Sequence, residues 1–380
     1  MHRIRLLILA ATAFLSACAT LPRPSPPSAA VRVTFDKDRI LHVEARNVGP
    51  DDPVRIASIS KLITTLGVMR LVEAGTLDLD SDVSRWLGWQ VRNPAFPDTP
   101  ITLRLLLSHR SSLTDNVDYA IPLGKTVRET LTDPKAWDSA HAPGTYFRYT
   151  NLNFPVVASI MEAATGERFD RLMARLVFRP LKIDACFNWT TCSDADVARA
   201  VTLRDPKGAI VRDDLHGARP ACPVLSPDPA CSLSAYAPGS NGALFSPQGG
   251  ARISANGLAR IGQLLLKDGE DFLSPASIAA MTGPVWVYDG SNGETENGFW
   301  CAYGLAVQSL AASSACRNDP FGDGRHRIGH SGDAYGLKSG VWIDRVKGRG
   351  VAYFVTAVPD DAPRGRSGFT RAEEGLATPP

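Results

Sequence analysis

Apolar and polar residues alternate in short stretches at the two ends of this chain. VRVTF (31–35) and ILHVEA (40–45) flank the polar DKDR, and together they predict a β-hairpin. LKSGVWIDRV (337–346) and GVAYFVTAV (350–358) are rich in β-branched and aromatic residues and are joined by the turn-like KGRG. They predict a second pair of strands.

The spacing of apolar residues between these ends is helical. Residues 58–74 carry apolar side chains three and four positions apart, and Gly75 is a suitable stop signal. The same spacing predicts three more helices: 102–108, 152–165 and 254–267.

Strands at both ends and helices between them predict an α+β fold of the α/β-sandwich kind. We expect one antiparallel sheet formed from both chain ends and flanked by helices. A mainly helical subdomain, about 76–245, is inserted in a domain that spans 31–360. Residues 361–380 are polar, and we expect a loosely ordered C-terminal tail.

The first residues have the features of an export signal. Two arginines precede an apolar run of about ten residues, which is too short to cross a bilayer as a helix. The run ends in LSAC (15–18), which resembles a bacterial lipobox. The resemblance implies a signal peptide at 1–17, a lipidated Cys18 and a flexible tether over 18–30. An ordinary secretory signal is the alternative.

Export and charge together restrict the partners that we expect. Ala19, the residue after the lipobox cysteine, implies by resemblance an outer-membrane lipoprotein that faces the periplasm; a soluble periplasmic protein is the alternative. Lysine and arginine number 41 against 39 acidic residues, a net charge of +2, so no nucleic-acid partner is expected. We expect a monomer that touches the membrane through its lipid anchor only.

The chain has seven cysteines, and six of them lie beyond the lipobox. An oxidising compartment permits disulfides, and six cysteines allow 15 connectivities. Because the six fall into three close pairs, local pairing is the simplest prediction. The predicted bridges are Cys186–Cys192, Cys222–Cys231 and Cys301–Cys316. The spacing does not fit a zinc site, and we expect no metal.

Ser58-Ile59-Ser60-Lys61 places a hydroxyl and an amine on one face of a helix. A lysine in a dry site has a lowered pKa and can take the proton of a serine nucleophile. The alternative is a helix start in which Ser58 is the N-cap and Lys61 lies in solvent. The neighbouring residues are apolar, which favours a buried pair.

Two further motifs carry candidate chemistry. Tyr149 and Asn151 alternate on an extended segment before the helix at 152–165, so their side chains point to one side; an N-cap role for Asn151 is the alternative. Gly329-His330-Ser331-Gly332 offers a flat strand edge along which a substrate backbone can lie, unless it is only a turn. The glycines argue against a helical metal site formed by His326 and His330.

These motifs, in this order, resemble the serine β-lactamase and penicillin-binding protein superfamily. The resemblance is to the branch with class C β-lactamases, D,D-peptidases and family VIII esterases, and it covers roughly residues 31–360. The matching stretches are RIASISKLIT (55–64), LVEAGTLDLDSDVSRWL (71–87), ITLRLLLSHRSSL (101–113), PGTYFRYTN (143–151), GALFSPQGGARISANGLARIGQLLL (242–266) and GHSGDAYGLKSGVWID (329–344).

The resemblance implies a role for each motif. Ser58 would be the nucleophile of an acyl-enzyme, and Lys61 its base, with Tyr149 sharing or relaying the proton. Asn151 would orient the substrate and the lysine. The substrate groove would be lined by His330, Ser331, Gly332 and Asp333, and the oxyanion hole would be formed by the backbone N–H groups of Ser58 and Asp333.

The chain departs from the family pattern at three places. His330 stands where β-lactamases have lysine, and an unperturbed histidine, with a pKa of about 6.5, is mostly neutral at pH 7. Together with the negative Asp333, this predicts weaker binding of a substrate carboxylate. Ser111-Ser112 replaces a Ser-Gly turn. The C-terminal helix of the family is short or missing after residue 360.

The sequence therefore predicts a serine hydrolase that needs no cofactor and cleaves an amide or an ester. The substrate would be a small ester or a D-amino-acid peptide derived from peptidoglycan. The alternatives are a β-lactamase, or a catalytically weak module that binds penicillin or senses the cell wall. An α/β-hydrolase is excluded because the chain has no G-x-S-x-G.

Overall fold

The computed structural model describes residues 28–378. Within this range the chain forms thirteen strands and ten α-helices. The strands are β1 (Ala30–Asp36), β2 (Ile40–Arg46), β3 (Val54–Arg55), β4 (Cys186–Phe187), β5 (Leu203–Arg204), β6 (Ile210–Arg212), β7 (Ala251–Ile253), β8 (Trp286–Val287), β9 (Ala302–Tyr303), β10 (Gln308–Leu310), β11 (Arg327–Ala334), β12 (Leu337–Asp344) and β13 (Arg349–Val355).

The helices match the four predicted segments and add shorter ones. They are α1 (Ile59–Glu73), α2 (Ser84–Leu87), α3 (Leu103–Leu107), α4 (Val127–Thr130), α5 (Asn153–Thr165), α6 (Phe169–Met173), α7 (Asp194–Ala198), α8 (Ala255–Leu266), α9 (Pro275–Thr282) and α10 (Arg371–Ala377). A 3₁₀ turn, Pro134–Ala136, and a π-helical turn, Ala174–Phe178, complete the set.

The main sheet joins the two ends of the chain. Its eight strands follow the order β2-β1-β13-β12-β11-β10-β9-β8. Strand β1 pairs antiparallel with β2 on one side and with β13 on the other. The predicted hairpin, and the predicted antiparallel sheet built from both termini, are therefore confirmed.

Alternating side chains cover the two faces of this sheet with different helices. Val341 and Phe354 belong to the large core under α8, which packs on β1, β12 and β13. Their neighbours Trp342 and Tyr353 point to the other face and join a smaller cluster under α10. Because successive residues of a strand face opposite sides, one strand pair supplies both cores. The result is the expected mixed α+β architecture.

The expected loose tail after residue 360 is wrong for the described residues up to 378. Thr370 and Glu373 form a reciprocal capping box at the start of α10. Phe369 and Ala377 are buried against the sheet. Seven residues are too few to show a helical period, so the sequence pattern did not predict this element. The expectation that a C-terminal helix would be short is met.

Helix α1 lies between the main sheet and the inserted helical region. It contacts β11 and β12 on one side and α5, α6 and α9 on the others. Twelve of its residues are buried, which explains its apolar character all round. A buried central helix fixes the position of any side chain in its first turn.

All three predicted disulfides are present. The bonds join Cys186 to Cys192, Cys222 to Cys231 and Cys301 to Cys316. The bonded cysteines are separated by 6, 9 and 15 positions in the sequence, respectively. Local pairing is thus confirmed.

The expectations for the start of the chain lie outside the described residues. The predicted signal peptide (1–17), Cys18 and most of the tether (18–30) fall before residue 28, and β1 begins at Ala30. Between residues 28 and 378, no helix is long and apolar enough to cross a membrane.

Candidate active site

Ser58 lies at the junction between β3 and α1. The preceding Ala57 has a φ of +52°, a backbone conformation that a residue with a side chain adopts at a cost. Ser58 is the N-cap of α1, yet its side chain makes no capping hydrogen bond. Its hydroxyl is therefore available for other chemistry, and the alternative of a simple helix cap does not hold.

Lys61 points at Ser58 from one turn along the helix. Its Nζ donates to Ser58 Oγ at 3.1 Å, to Asn151 Oδ1 at 2.7 Å and to the Gln248 carbonyl at 3.0 Å. The side chain is completely buried. Burial lowers the pKa of Lys61 to about 7, although the Asp115 carboxylate raises it. About half of the amine is neutral at pH 7, as a general base requires.

Tyr149 packs over this amine. Lys61 Nζ lies 4.9 Å from the centre of the Tyr149 ring, and the ring stacks on Trp300 at 4.5 Å. The Tyr149 hydroxyl is buried and has no hydrogen-bond partner among residues 28–378. Burial raises the pKa of Tyr149, with a smaller opposing effect from Ser58. The phenol therefore stays protonated at neutral pH, suited to relaying a proton.

Asn151 is held by Asp115, which the sequence analysis missed. Asp115 Oδ2 accepts from the backbone N–H and from Nδ2 of Asn151, at 2.9 and 3.0 Å, and Oδ1 accepts from Leu152 N–H at 3.0 Å. These bonds orient the amide so that its oxygen faces Lys61. The N-cap of α5 is Leu152, so Asn151 is not the cap.

His330 does not lie where the sequence analysis expected. Its side chain is completely buried and is not part of the cavity wall. Nδ1 bonds the Ser331 carbonyl and Nε2 bonds the Tyr303 hydroxyl at 2.8 Å. Because a carbonyl can only accept, Nδ1 carries the proton and Nε2 accepts from Tyr303. Burial, reinforced by the charge of Lys61, lowers the pKa of His330 to about 3, so the ring is neutral.

Strand β11 offers a free edge next to Ser58. Strand β10 pairs with β11 only as far as Gly329. Residues 335 and 336 form the two-residue turn to β12, with Ala334 opposite Leu337. Because bonded and non-bonded pairs alternate from such a turn, the Asp333 N–H points away from β12 toward the free edge.

Gly332 allows this edge to approach the segment that precedes Ser58. A Cβ on Gly332 would lie 2.2 Å from the Ile56 carbonyl oxygen, so only glycine fits. The Asp333 side chain turns outward and forms an ion pair with Lys338. The backbone of β11, rather than the Asp333 carboxylate, therefore faces Ser58.

The turn at Ser111-Ser112 keeps a glycine-like geometry. Ser112 has a φ of +63°, the left-handed region that a glycine would occupy without strain. Its hydroxyl accepts from Asn93 Nδ2 at 2.9 Å. Ser111 Oγ bonds Asn153 Oδ1 at 2.6 Å. Ser112 thus adopts the conformation of the family's glycine at a cost in backbone strain.

A cavity of about 1540 Å³ opens in front of Ser58. It is lined by six of the predicted site residues: Ser58, Tyr149, Asn151, Ser331, Gly332 and Asp333. Lys61 lies behind Ser58. The far walls come from the loops at 210–215 and 220–225 and from the C-terminal segment 364–369. In the part of the chain that the structure describes, no group of three histidine, cysteine, aspartate or glutamate side chains could hold a metal ion.

The groups that support the predicted site residues were not predicted from the sequence. Gln248 acts through its backbone carbonyl, which has no signature in the sequence. His109 accepts from Thr150 N–H at 3.0 Å and packs against Tyr149; it stands in the SHRSS stretch that carried the resemblance. Asp115 gave no local signal because its partners lie 36 and 37 residues away.

A serine bonded by a buried lysine of lowered pKa, at the free edge of a mixed α+β fold, defines a class of serine hydrolases. A family model described as Beta-lactamase matches residues 23–374 of the chain. The chain belongs to the Beta-lactamase family.

Solved structures share the fold over most of its length. EstCE1, a hydrolase with promiscuous acyltransferase activity, is similar with a TM-score of 0.67 and 22% identity, over 92% of both chains. The D-amino acid amidase from Ochrobactrum anthropi SV3 is similar with a TM-score of 0.65 and 16% identity, over 92% of this chain and 90% of that one.

Curated relatives match over a shorter region. The Escherichia coli (strain K12) D-alanyl-D-alanine-carboxypeptidase/endopeptidase AmpH is 32% identical over 146 residues, 36% of this chain and 37% of AmpH. Esterase EstB of Burkholderia gladioli is 29% identical over 160 residues, 37% of this chain and 40% of EstB. The matches thus span about two fifths or less of these relatives.

Proposed function

We propose that this protein cleaves an amide or ester through an acyl-enzyme on Ser58. The observation that carries the proposal is the Lys61 amine, buried and half neutral, 3.1 Å from the Ser58 hydroxyl at an open cavity. The substrate is a small ester or a D-amino-acid peptide derived from peptidoglycan. The names of AmpH and EstB span these two classes.

Acylation uses Lys61 as the base. Ser58 Oγ attacks the substrate carbonyl carbon while its proton passes to Lys61 Nζ. The oxygen of the tetrahedral intermediate takes the negative charge and accepts from the N–H groups of Ser58 and Asp333. The C–N or C–O bond then breaks, and the leaving group receives the proton from Lys61, directly or through the Tyr149 hydroxyl.

Deacylation repeats the sequence with water. The Lys61–Tyr149 pair takes a proton from water, whose oxygen attacks the acyl carbon. The ester bond to Ser58 Oγ breaks, and Oγ regains a proton as the acid product leaves. Asn151 keeps the lysine aligned in both halves through its 2.7 Å bond.

Intact-mass spectrometry tests the nucleophile. A fluorophosphonate should add covalently to the wild-type protein and not to Ser58→Ala. A fluorophosphonate adduct without a penicillin adduct supports an esterase or peptidase. A lasting penicillin adduct indicates a penicillin-binding module, rapid turnover of penicillin indicates a β-lactamase, and no adduct from either reagent contradicts the proposal.

We also propose that the protein is exported and anchored as a lipoprotein through Cys18. Three disulfides support an oxidising compartment. Cells grown with radioactive palmitate should label the wild-type protein and not Cys18→Ala, which keeps all six bridged cysteines. Equal labelling of both, or of neither, would contradict the lipid anchor and favour a soluble periplasmic protein.

The Asp115 carboxylate should set the acid limb of the pH–rate profile. It raises the pKa of Lys61, so in Asp115→Asn the amine loses its proton at a lower pH. We expect the acid limb of kcat/KM for a neutral ester to move down by roughly half a pH unit, since the carboxylate is exposed and screened. Asp118→Asn, which changes an exposed carboxylate of the cavity wall, is the control. An acid limb unmoved in Asp115→Asn would show that Lys61 is not the titrating base.

A further inference from the structure

A buried arginine without a partner lines the cavity beside the nucleophile. Arg55 lies on β3, three residues before Ser58, and only 9% of it is exposed. In residues 28–378 its guanidinium forms neither a hydrogen bond nor an ion pair, and its Nε is buried and unsatisfied. Burying an unpaired charge is costly unless something compensates it. Arg55 therefore has unused capacity for an anion.

A second guanidinium lies in the same part of the cavity, which we call the arginine corner and which consists of Arg55, Arg212 and Tyr335. Both arginines lie against the Tyr335 ring: the guanidinium carbon of Arg55 is 5.1 Å from the ring centre and that of Arg212 is 4.8 Å from it. Arg212 donates to the Tyr335 hydroxyl at 3.3 Å. All three residues line the cavity. Two guanidiniums, each a fork of N–H donors, therefore lie against the same aromatic ring, and forked donors of this kind bind carboxylates.

The acidic residues nearby do not neutralise this pair. Asp213 is bound by Arg252 at 2.8 Å and by Trp189 at 2.9 Å, and Asp214 lies 3.1 Å from His216. No carboxylate between residues 28 and 378 forms an ion pair with Arg55 or Arg212. The arginine corner thus carries excess positive charge next to Ser58.

The position of the arginine corner along β11 identifies the part of the substrate that it meets. Tyr335 follows Asp333, whose N–H faces the reacting carbonyl, while Tyr149 packs 6.2 Å from the His330 ring at the other end of this edge. A leaving group that takes its proton from Lys61 and Tyr149 departs toward His330. The acyl part of the substrate then extends toward Tyr335.

We propose that Arg55 and Arg212 bind a carboxylate on the acyl part of the substrate. The inference rests on the proposed acyl-enzyme chemistry and narrows its substrates to acidic acyl groups, such as half-amides or half-esters of dicarboxylic acids and peptides with an acidic residue before the scissile bond. The substrate carboxylate would be the ion-pair partner that Arg55 lacks among residues 28–378.

Paired ester substrates test the subsite. The 4-nitrophenyl half-esters of adipic and suberic acids carry the charge on the acyl part, and 4-nitrophenyl heptanoate and nonanoate are their neutral counterparts. We expect wild-type kcat/KM to favour the anionic member by about tenfold or more, and Arg212→Gln to remove most of that preference. Arg212 is exposed on a short hairpin, so its replacement preserves the fold.

Two more variants test whether the preference for anionic esters depends on Arg55 and Arg212 specifically. Arg55→Gln, checked by thermal unfolding, should remove the remaining preference. Arg364→Gln changes an exposed arginine of the same cavity wall and should leave the ratio at its wild-type value. An unchanged ratio in Arg212→Gln, or a loss in Arg364→Gln, overturns the assignment.

Two further measurements distinguish a failure of the carboxylate subsite from a failure of the proposed acyl-enzyme function. A preference for 4-acetoxybenzoate over its methyl ester would place the carboxylate on the leaving group and contradict the proposal. If no ester is hydrolysed, the proposed function fails, and calorimetry with adipamate on Ser58→Ala still measures the subsite. Adipamate should bind Ser58→Ala at least tenfold more tightly than Ser58→Ala/Arg212→Gln, and equal affinities would overturn the subsite by themselves.

Discussion

Ser58→Ala is expected to reduce turnover of any ester or amide substrate by on the order of 10⁵-fold or more. In the proposed mechanism the Ser58 hydroxyl oxygen forms the covalent intermediate, and alanine leaves Lys61 with no proton to take. Steady-state hydrolysis of 4-nitrophenyl esters, followed at 400 nm, measures the loss. The fold should persist, because the Ser58 side chain makes no capping bond in α1.

Ser60→Ala is the matched control for this change. Ser60 stands in the same motif, but its hydroxyl donates to the Ala57 carbonyl at 2.6 Å and accepts from Ala251 N–H at 3.0 Å. Its loss should weaken the packing of β7 against α1 and lower the thermal midpoint while the enzyme still forms an acyl adduct. Retained turnover in Ser58→Ala, or its disappearance in Ser60→Ala alone, would contradict the assignment of the nucleophile.

The sheet could be predicted because its signals are local and periodic. The alternation that marks β1 and β13 also decides which of their side chains reach each core, so pattern and packing carry the same information. The hairpin from Ile40 and the stop at Gly75 depend on neighbours within a few residues. Helix α10 was not predicted, because its stability comes from the packing of Phe369 and Ala377 against strands that are distant in sequence.

The site shows the same division between local and distant signals. The i, i+3 spacing of Ser58 and Lys61 can be read from the chain, whereas the three acceptors of Lys61 span separations of 3, 90 and 187 residues. Asp115 and the Gln248 carbonyl meet Asn151 and Lys61 only in the folded protein. Sequence motifs thus predict the candidate reacting groups, whereas the groups that hold them in place are brought together only by the fold.

The effect of His330 at the family's lysine position could be predicted only in part without a structure. The expectation of a neutral ring at the family's lysine position is supported by its buried bonds and lowered pKa. The consequence drawn from it, weaker binding of a carboxylate, considered only that motif. Arg55 lines the cavity near the Tyr335 end of β11, so the cavity contains positive charge although the third motif has none.

Lys61→Met is expected to lower kcat/KM by about 10³-fold or more and to abolish the acid limb of the pH–rate profile. General-base catalysis contributes roughly 10²–10⁴-fold, and methionine matches the length of lysine without a proton acceptor. In the wild type, kcat/KM should rise tenfold per pH unit below the Lys61 pKa of about 7 and level off above it. Tyr149→Phe should cost less and keep that limb, because Lys61 remains. A larger loss of kcat/KM in Tyr149→Phe than in Lys61→Met, together with loss of the acid limb, would make Tyr149 the base.

Unfolding measurements check the same titration without any substrate. The pKa of Lys61 falls from 10.5 when exposed to about 7 in the fold, so the folded protein binds fewer protons between these values. The cost of burying the charged amine is fully present below pH 7 and disappears as pH rises toward 10.5. Wild type should therefore gain stability relative to Lys61→Met, by about 2 kcal/mol between pH 7 and 9 at about 1.4 kcal/mol per unit. Urea unfolding of both proteins at the two pH values measures this difference, and parallel pH dependences would mean that Lys61 stays protonated and cannot be the base.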